Sequence, residues 1–259
     1  MNNLNNETVQ AQGLNRFYSK VYLFFGVGLA ISAISAYIFG EVFQAQTLQF
    51  ISNFPLGFTG LWILQIILVI VLGVKAQKNP SLTVAGFLVY SLLNGLTLSV
   101  TLMIYDFGSI VGAFVSAAVT FGVMSAFGIM TKRDLSVVGR IGYGLLLGII
   151  ISTLLNVFIL RSQPVDFFLS IVTVFVFMGI TAYDNQQIRN VYFATNGGAN
   201  TGVAVFMALQ LYLDFINLFL ALLRIFGKNK LKKVRGNSPF FLYKMREKTK
   251  QFIAFVPVL

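Results

Sequence analysis

An all-α integral membrane protein with seven transmembrane helices is the fold class this sequence predicts, and three observations carry the prediction. The 259 residues are 57% hydrophobic and only 10% charged, and mean hydropathy is +0.81. Charge is spread unevenly, so apolar runs reach the length a helix needs to cross a bilayer. Lys and Arg collect in alternate connectors, the pattern that fixes membrane orientation.

Taken in order, the apolar segments run at about 21–39, 56–74, 82–105, 110–130, 141–160, 167–194 and 202–226. The first five hold no charged residue. Pro55, Asn79-Pro80 and Pro164 fall in connectors, where a missing N–H does little harm. The sixth segment turns polar from Asp184 to Asn190. It is extended to about Ala194 because the hairpin it forms with the seventh requires equal arms; the alternative is a helix that leaves the membrane near Gln187. Three regions result: a polar N-terminal segment at 1–20, a membrane domain at 21–227 and a basic tail at 228–259. Within the tail, Phe240, Phe241, Met245, Phe252 and Val256 alternate with basic residues. An amphipathic surface helix and a disordered tail both fit that pattern.

Composition narrows the function. Cysteine is absent, which removes disulfides and thiolate metal sites. Histidine is absent too, and with it the usual imidazole base, metal ligand and pH sensor. The net charge of +11 sits between apolar runs and in the tail, which fits an anionic lipid surface better than nucleic acid. The first 20 residues carry no cleavable signal, so the first span is expected to direct insertion.

Arg16, Lys20, Lys75, Lys78, Lys132, Arg133, Arg140 and Arg189 share one side if the spans alternate, against Arg161 alone on the other. The N-terminus is therefore expected in the cytoplasm. Seven crossings then put the tail outside, although it begins with Arg224, Lys228, Lys230, Lys232, Lys233 and Arg235. Either the tail departs from the charge rule or one late segment is re-entrant.

Asp184 and Asp214 are the only charges deep inside apolar segments. Each lies fifteen residues from Ala199, within the turn-like stretch Asn196-Gly197-Gly198-Ala199-Asn200. Antiparallel helices around that turn place both carboxylates at similar depth, roughly 20 Å from it at 1.5 Å per residue. A lone ionised carboxylate there is costly, so it faces a partner or water. Two close carboxylates titrate as one unit and can share a proton. They also form a weak, incomplete metal site, since four oxygens fall short of the six to eight that Ca²⁺ takes. A structural anchoring role is the plainer alternative. Arg189, five residues on, is rotated about 140° away from Asp184. Lys75, ending the second span, has a flexible stem that can turn inward as a latch or remain a snorkelling anchor.

Polar residues recur at helical spacing elsewhere. Tyr90, Asn94, Thr97 and Thr101 share a face of span three, and Gln210, Asp214 and Asn217 a face of span seven. Asn94, Thr97, Gln210 and Asn217 are read as supporting polar groups. Ser116/Thr120 and Ser152/Asn156 are shorter pairs, read as interhelical hydrogen bonds. Gly108/Gly112 and Gly144/Gly148 match the small-xxx-small pattern of close helix packing.

The string Leu211-Tyr212-Leu213-Asp214-Phe215-Ile216-Asn217-Leu218-Phe219, followed by Leu222-Leu223-Arg224-Ile225-Phe226-Gly227, resembles the last-span signature of the Bax inhibitor-1 family. Tyr183-Asp184-Asn185-Gln186-Gln187-Ile188 is similar to its preceding aspartate motif, and Asn94-Gly95-Leu96-Thr97-Leu98-Ser99 to its third-span motif. The resemblance covers about residues 15 to 230. It implies seven helices with the last one central, a pH-sensitive cation leak for Ca²⁺, and a di-aspartyl sensor at Asp184 and Asp214. In the bacterial members a basic residue ending the second span latches the aspartates. Lys75 matches that position but lacks the planar fork of the expected Arg. The tail beyond Phe226-Gly227 is a second departure.

The expected function is a pH-regulated cation leak channel or transporter, most simply for Ca²⁺. The expected setting is a bacterial cell membrane, with the lipid bilayer and cations as partners and no resident cofactor, enzymatic activity or nucleic acid. The alternative is a membrane interaction protein that regulates a protease or cell-death partner. An intramembrane aspartyl protease also needs two membrane aspartates. Its Gly-x-Gly before the second Asp is replaced here by Leu211-Tyr212-Leu213.

Overall fold

The computed structural model describes residues 2–228, and every element among them is helical. The order is α1 (Asn2–Tyr37), α2 (Gln44–Asn53), α3 (Pro55–Lys75), α4 (Pro80–Leu102), α5 (Phe107–Met130), α6 (Ser136–Leu155), α7 (Gln163–Ala194) and α8 (Thr201–Phe226). Short π-helical turns, Ile38–Val42 and Asn156–Leu160, continue α1 and α6. The predicted tail from 229 onward lies outside the described residues.

Among the described residues, six helical segments are long and apolar enough to cross a membrane. They are Val9–Val42, Pro80–Leu102, Phe107–Met130, Ser136–Leu160, Gln163–Ala194 and Thr201–Phe226. The remaining predicted segment, the second at 56–74, corresponds to α3, which carries the shorter apolar stretch Gly60–Lys75.

Local sequence sets the helix starts. Asn79 caps α4 by accepting from Leu82 N at 3.1 Å, and Pro80 follows in the first turn, where its missing N–H is harmless. Asp106 caps α5 through Ser109 N at 2.7 Å. Asn200 caps α8 through Val203 N at 3.0 Å.

The centre of the bundle is α8. Of its most apolar window 83% is buried, against 22% in α5 and in α6. It packs against α1, α3, α4, α5 and α7, whereas α6 leans on α7. Helix directions follow from paired contacts. Gly28 of α1 lies under Phe87 of α4, Ser32 bonds to Ser91 O, and Gly40 meets Ser99, so α1 and α4 run parallel. Gln65 of α3 meets Thr97 while Leu72 meets Gly86, so α3 runs back against α4.

Two expectations about packing change. Gly112, Gly144 and Gly148 face open space, and Gly108 meets only the carboxylate of Asp106. Those faces of α5 and α6 are turned outward, and the close approaches are made at Gly28, Gly95, Gly128, Gly139 and Gly142 instead. Ser116 and Thr120 bond back to the carbonyls of Gly112 and Ser116, both at 2.8 Å, and not across helices. A hydroxyl facing lipid finds no other acceptor.

The first helix also begins well before residue 21. Its early turns are held by α7, where Phe17 packs on Tyr192 with ring centroids 5.8 Å apart. The polar stretch of α7 stays helical to Ala194 because its side chains find partners. Asn185 accepts from the Tyr22 hydroxyl and donates to Ser125 Oγ at 3.0 Å. Gln186 donates to Arg133 O at 2.8 Å and accepts from Leu135 N at 2.9 Å, tying the α5–α6 loop to α7.

Lys20, Ala76 and Thr201 meet at one end of the bundle. At the other, Asp106 N donates to Lys228 O at 3.1 Å and Lys228 N to Ser109 Oγ at 2.9 Å. The chain therefore leaves α8 at the end opposite the α7–α8 turn.

Candidate functional site

Two helices and one turn set the depth of the site. Asn196 and Gly197 adopt positive φ, 50° and 75°, and Gly197 N closes the end of α7 on Tyr192 O at 3.0 Å. Gly supplies that conformation without strain. The tip is fixed from outside. Asn200 Nδ2 donates to Gln77 O at 2.9 Å, Lys20 Nζ to Thr201 Oγ1 at 3.3 Å, and Gly202 lies under the Ala76 carbonyl.

The hairpin carries Asp184 and Asp214 into the interior, where they are 2% and 3% exposed. The charge on Asp184 acts on Asp214 across the seam between α7 and α8. Both act on the hydroxyl of Tyr143, from α6. That hydroxyl lies 2.9 Å from Asp184 Oδ1 and 3.1 Å from Oδ2, and donates to the carboxylate.

Tyr143 reaches so far because α6 has no side chains in the way. A Cβ at Gly139 would lie 2.7 Å from the Tyr183 ring, and one at Gly142 2.8 Å from Ile180. On the other flank Gly128 of α5 sits directly beneath the Ala182 carbonyl. Glycine thus lets two helices close on α7 around Asp184. Nearby, Asp134 lies exposed in the α5–α6 loop. Hydrogen bonds from the Ser136 hydroxyl and N–H hold its carboxyl below the usual range.

Of the groups read from the sequence, Asp184 and Asp214 come together. Asn217 lies one turn beyond Asp214, 2% exposed, and donates to Leu213 O at 2.7 Å. Gln210 is half-buried on the same stripe of α8. Asn94 and Thr97 belong to a separate cluster with Gln65 of α3: Gln65 Nε2 donates to Thr97 Oγ1 at 2.8 Å, and Asn94 Nδ2 to Gln65 Oε1 at 3.4 Å. Asn156 serves the opposite end, donating to Asp166 Oδ1 at 2.5 Å and to Ser162 O at 3.1 Å.

Lys75 is exposed at the end of α3. Its neighbour Ala76 packs on Gly202, twelve residues before Asp214, or roughly 18 Å along α8. That exceeds the reach of a lysine stem, so the structure does not bring Lys75 to the pair.

Tyr143, Gln65 and Thr181 are site or network residues that sequence reading passed over. Gln65 had a legible signal as the one amide within the second apolar span. Tyr143 had none, since an aromatic residue in a lipid-facing helix is ordinary. Among the described residues no three Asp, Glu, His or Cys side chains converge. A cation at the pair would therefore take further oxygens from hydroxyls, amides, backbone or water.

A family model described as inhibitor of apoptosis-promoting Bax1 matches residues 14–230. An uncharacterized membrane protein of Streptococcus pyogenes serotype M1 is 42% identical over 217 residues, covering 84% of this chain and 94% of that protein. The inner membrane protein YbhL of Escherichia coli K12 is 40% identical over 222 residues, covering 84% and 94%. A protein of Borreliella burgdorferi is 39% identical, covering 83% and 93%.

Proposed function

This chain belongs to the Bax inhibitor-1 family, and from that premise we propose that it is a pH-regulated cation leak of a bacterial cell membrane. Seven crossings are part of the reading. Parallel α1 and α4 need a return between them, and α3 runs antiparallel to α4 in that place. The basic residues Lys20, Arg133 and Arg189 lie toward the end of the bundle where α1 begins and α7 ends, which supports a cytoplasmic N-terminus.

The observation that carries the function is the buried pair Asp184–Asp214 under the Tyr143 hydroxyl. Two carboxylates in one low-dielectric site cannot both hold full charge cheaply, so they exchange a shared proton with pH. Ionised, the pair attracts a hard cation such as Ca²⁺ and holds Tyr143 by charge-assisted hydrogen bonds. Protonated, it loosens both. The chemistry is passage and not catalysis, and it needs no resident cofactor. A latch at Lys75 enters only through a second conformation in which α3 shifts toward the pair; in the conformation described it stays at the rim.

The test is Ca²⁺ flux through purified protein in liposomes, stepped from alkaline to mildly acidic pH. Flux that responds to pH in the wild type and loses the response in Asp184→Asn supports the leak. Regulation of another membrane protein, suggested by the family description, predicts no flux from the protein alone.

A further inference from the structure

Three buried oxygens on α7 and α8 have no hydrogen-bond donor: Asp214 Oδ2, Asn217 Oδ1 and Thr181 Oγ1. Their side chains are 3%, 2% and 0% exposed. Buried polar atoms are nearly always paired, so three orphans on one seam need a cause.

Neighbouring residues bond back to their own helix where Thr181 does not. A buried helical hydroxyl ordinarily bonds back to the carbonyl four residues earlier. Thr173 does so to Leu169 O at 2.7 Å and Ser170 to Asp166 O at 2.8 Å. Thr181 does not. Asn217 commits its Nδ2 to Leu213 O, which leaves Oδ1 as its unbonded atom.

Register puts the three within one turn of each other along the hairpin. Thr181 is three residues before Asp184 and Asn217 three after Asp214, each eighteen residues from Ala199. On antiparallel helices both lie at one level, a single turn deeper than the carboxylate pair.

We propose that Asp214 Oδ2, Asn217 Oδ1 and Thr181 Oγ1 form a cation subsite, one turn beyond the aspartate pair, that receives a partly dehydrated ion. The inference rests on the cation-leak reading and names the ligands that the pair alone lacks. Carboxylate, amide carbonyl and hydroxyl are hard oxygen donors, suited to Ca²⁺ and unlike the nitrogen and sulfur sets that select Zn²⁺ or Cu. One carboxylate and two neutral oxygens leave several positions for water, so binding is weak, as transit requires. Mg²⁺ gives up its waters reluctantly, so Ca²⁺ is favoured over Mg²⁺.

The experiment measures equilibrium binding of Ca²⁺, with Mg²⁺ alongside, to the purified full-length protein in nanodiscs, together with liposome flux. Thr181→Val and Asn217→Leu keep volume and remove an oxygen; each weakens Ca²⁺ binding about tenfold or more. Thr181→Ser retains the hydroxyl and the affinity. Thr173→Val, whose hydroxyl is already bonded, changes neither. Should Thr181→Val and Asn217→Leu fold and bind Ca²⁺ as the wild type does, the subsite is overturned while the leak stands. Should the wild type pass no cation at any pH, the leak falls. The subsite then survives only as a static ion site, if Ca²⁺ binding is lost in those two variants, and is overturned if the wild type binds no Ca²⁺.

Discussion

Tyr212 and Asp214 stand two residues apart on α8, on opposite faces of the same buried helix, and their surroundings differ in kind. The Tyr212 hydroxyl meets Ser32 Oγ at 2.6 Å, and Ser32 passes its own proton to Ser91 O at 2.6 Å. Its ring is packed edge-on by Phe87 and Tyr90, with both centroids 5.9 Å away. The Tyr212 and Ser32 hydroxyls are both bonded, and no charge is present. Across the helix, Asp214 brings an ionisable carboxyl group, faces a second one, and leaves an oxygen without a donor. One face is arranged to stay as it is, and the other is held short of satisfaction. A buried polar group left unpaired costs stability, so its persistence points to use.

The sharpest way to break the comparison is Asp214→Asn. It keeps volume and removes the proton site, so the pH response of flux, up to tenfold per pH unit for one titrating group, should become nearly flat while thermal stability is retained or rises. A variant with an unchanged pH profile would place the sensor elsewhere. Next in size is Gly128→Ala, which drives a Cβ into the Ala182 carbonyl. Overpacking of this kind costs about 1–3 kcal/mol, read as a lowered melting temperature in detergent. Gly112→Ala, facing open space, is its silent partner. Tyr212→Phe removes one neutral hydrogen bond and should cost ~1 kcal/mol with the pH profile of flux intact. If Tyr212→Phe shifts that profile, the two faces are not separate. Smallest is Lys75→Ala. An exposed lysine contributes on the order of 1 kcal/mol at most, so neutral-pH flux should change less than about fivefold. A larger rise would reveal a state in which α3 latches the pair.

The class of the molecule, its helix order and the two aspartates were legible because each is written in hydropathy or in charge against hydropathy. The place of Lys75 was not legible because a cation ending a span is equally a latch or an anchor, and only the packing of Ala76 on Gly202 decides how far it stands from Asp214. The glycine pairs misled for a related reason. Spacing tells which glycines share a face, but not whether that face meets a helix or lipid. Tyr143 was invisible since its role depends on Gly139 and Gly142 admitting α6 against α7, a property of two helices at once. Thr181 was equally hidden, because a helical threonine is unremarkable until its hydroxyl is seen to leave the backbone.

The tie from Gln186 to the α5–α6 loop has an electrical consequence. That loop meets α7 eight residues before the helix ends, so the bundle is notched on that side. Asp184 lies two residues from Gln186, roughly 3 Å along the helix axis from the loop, yet 21 residues or about 32 Å from the start of α7. Measured from the turn the carboxylate is deep; measured from the notch it is shallow. Most of a transmembrane potential would therefore fall beyond Asp184. A unit charge crossing the full field gains about 2.3 kcal/mol per 100 mV, but a proton arriving through the notch crosses little of it. The pH midpoint of the leak should then follow the acidity of that compartment and hold nearly constant with voltage, while the current itself responds to the full potential.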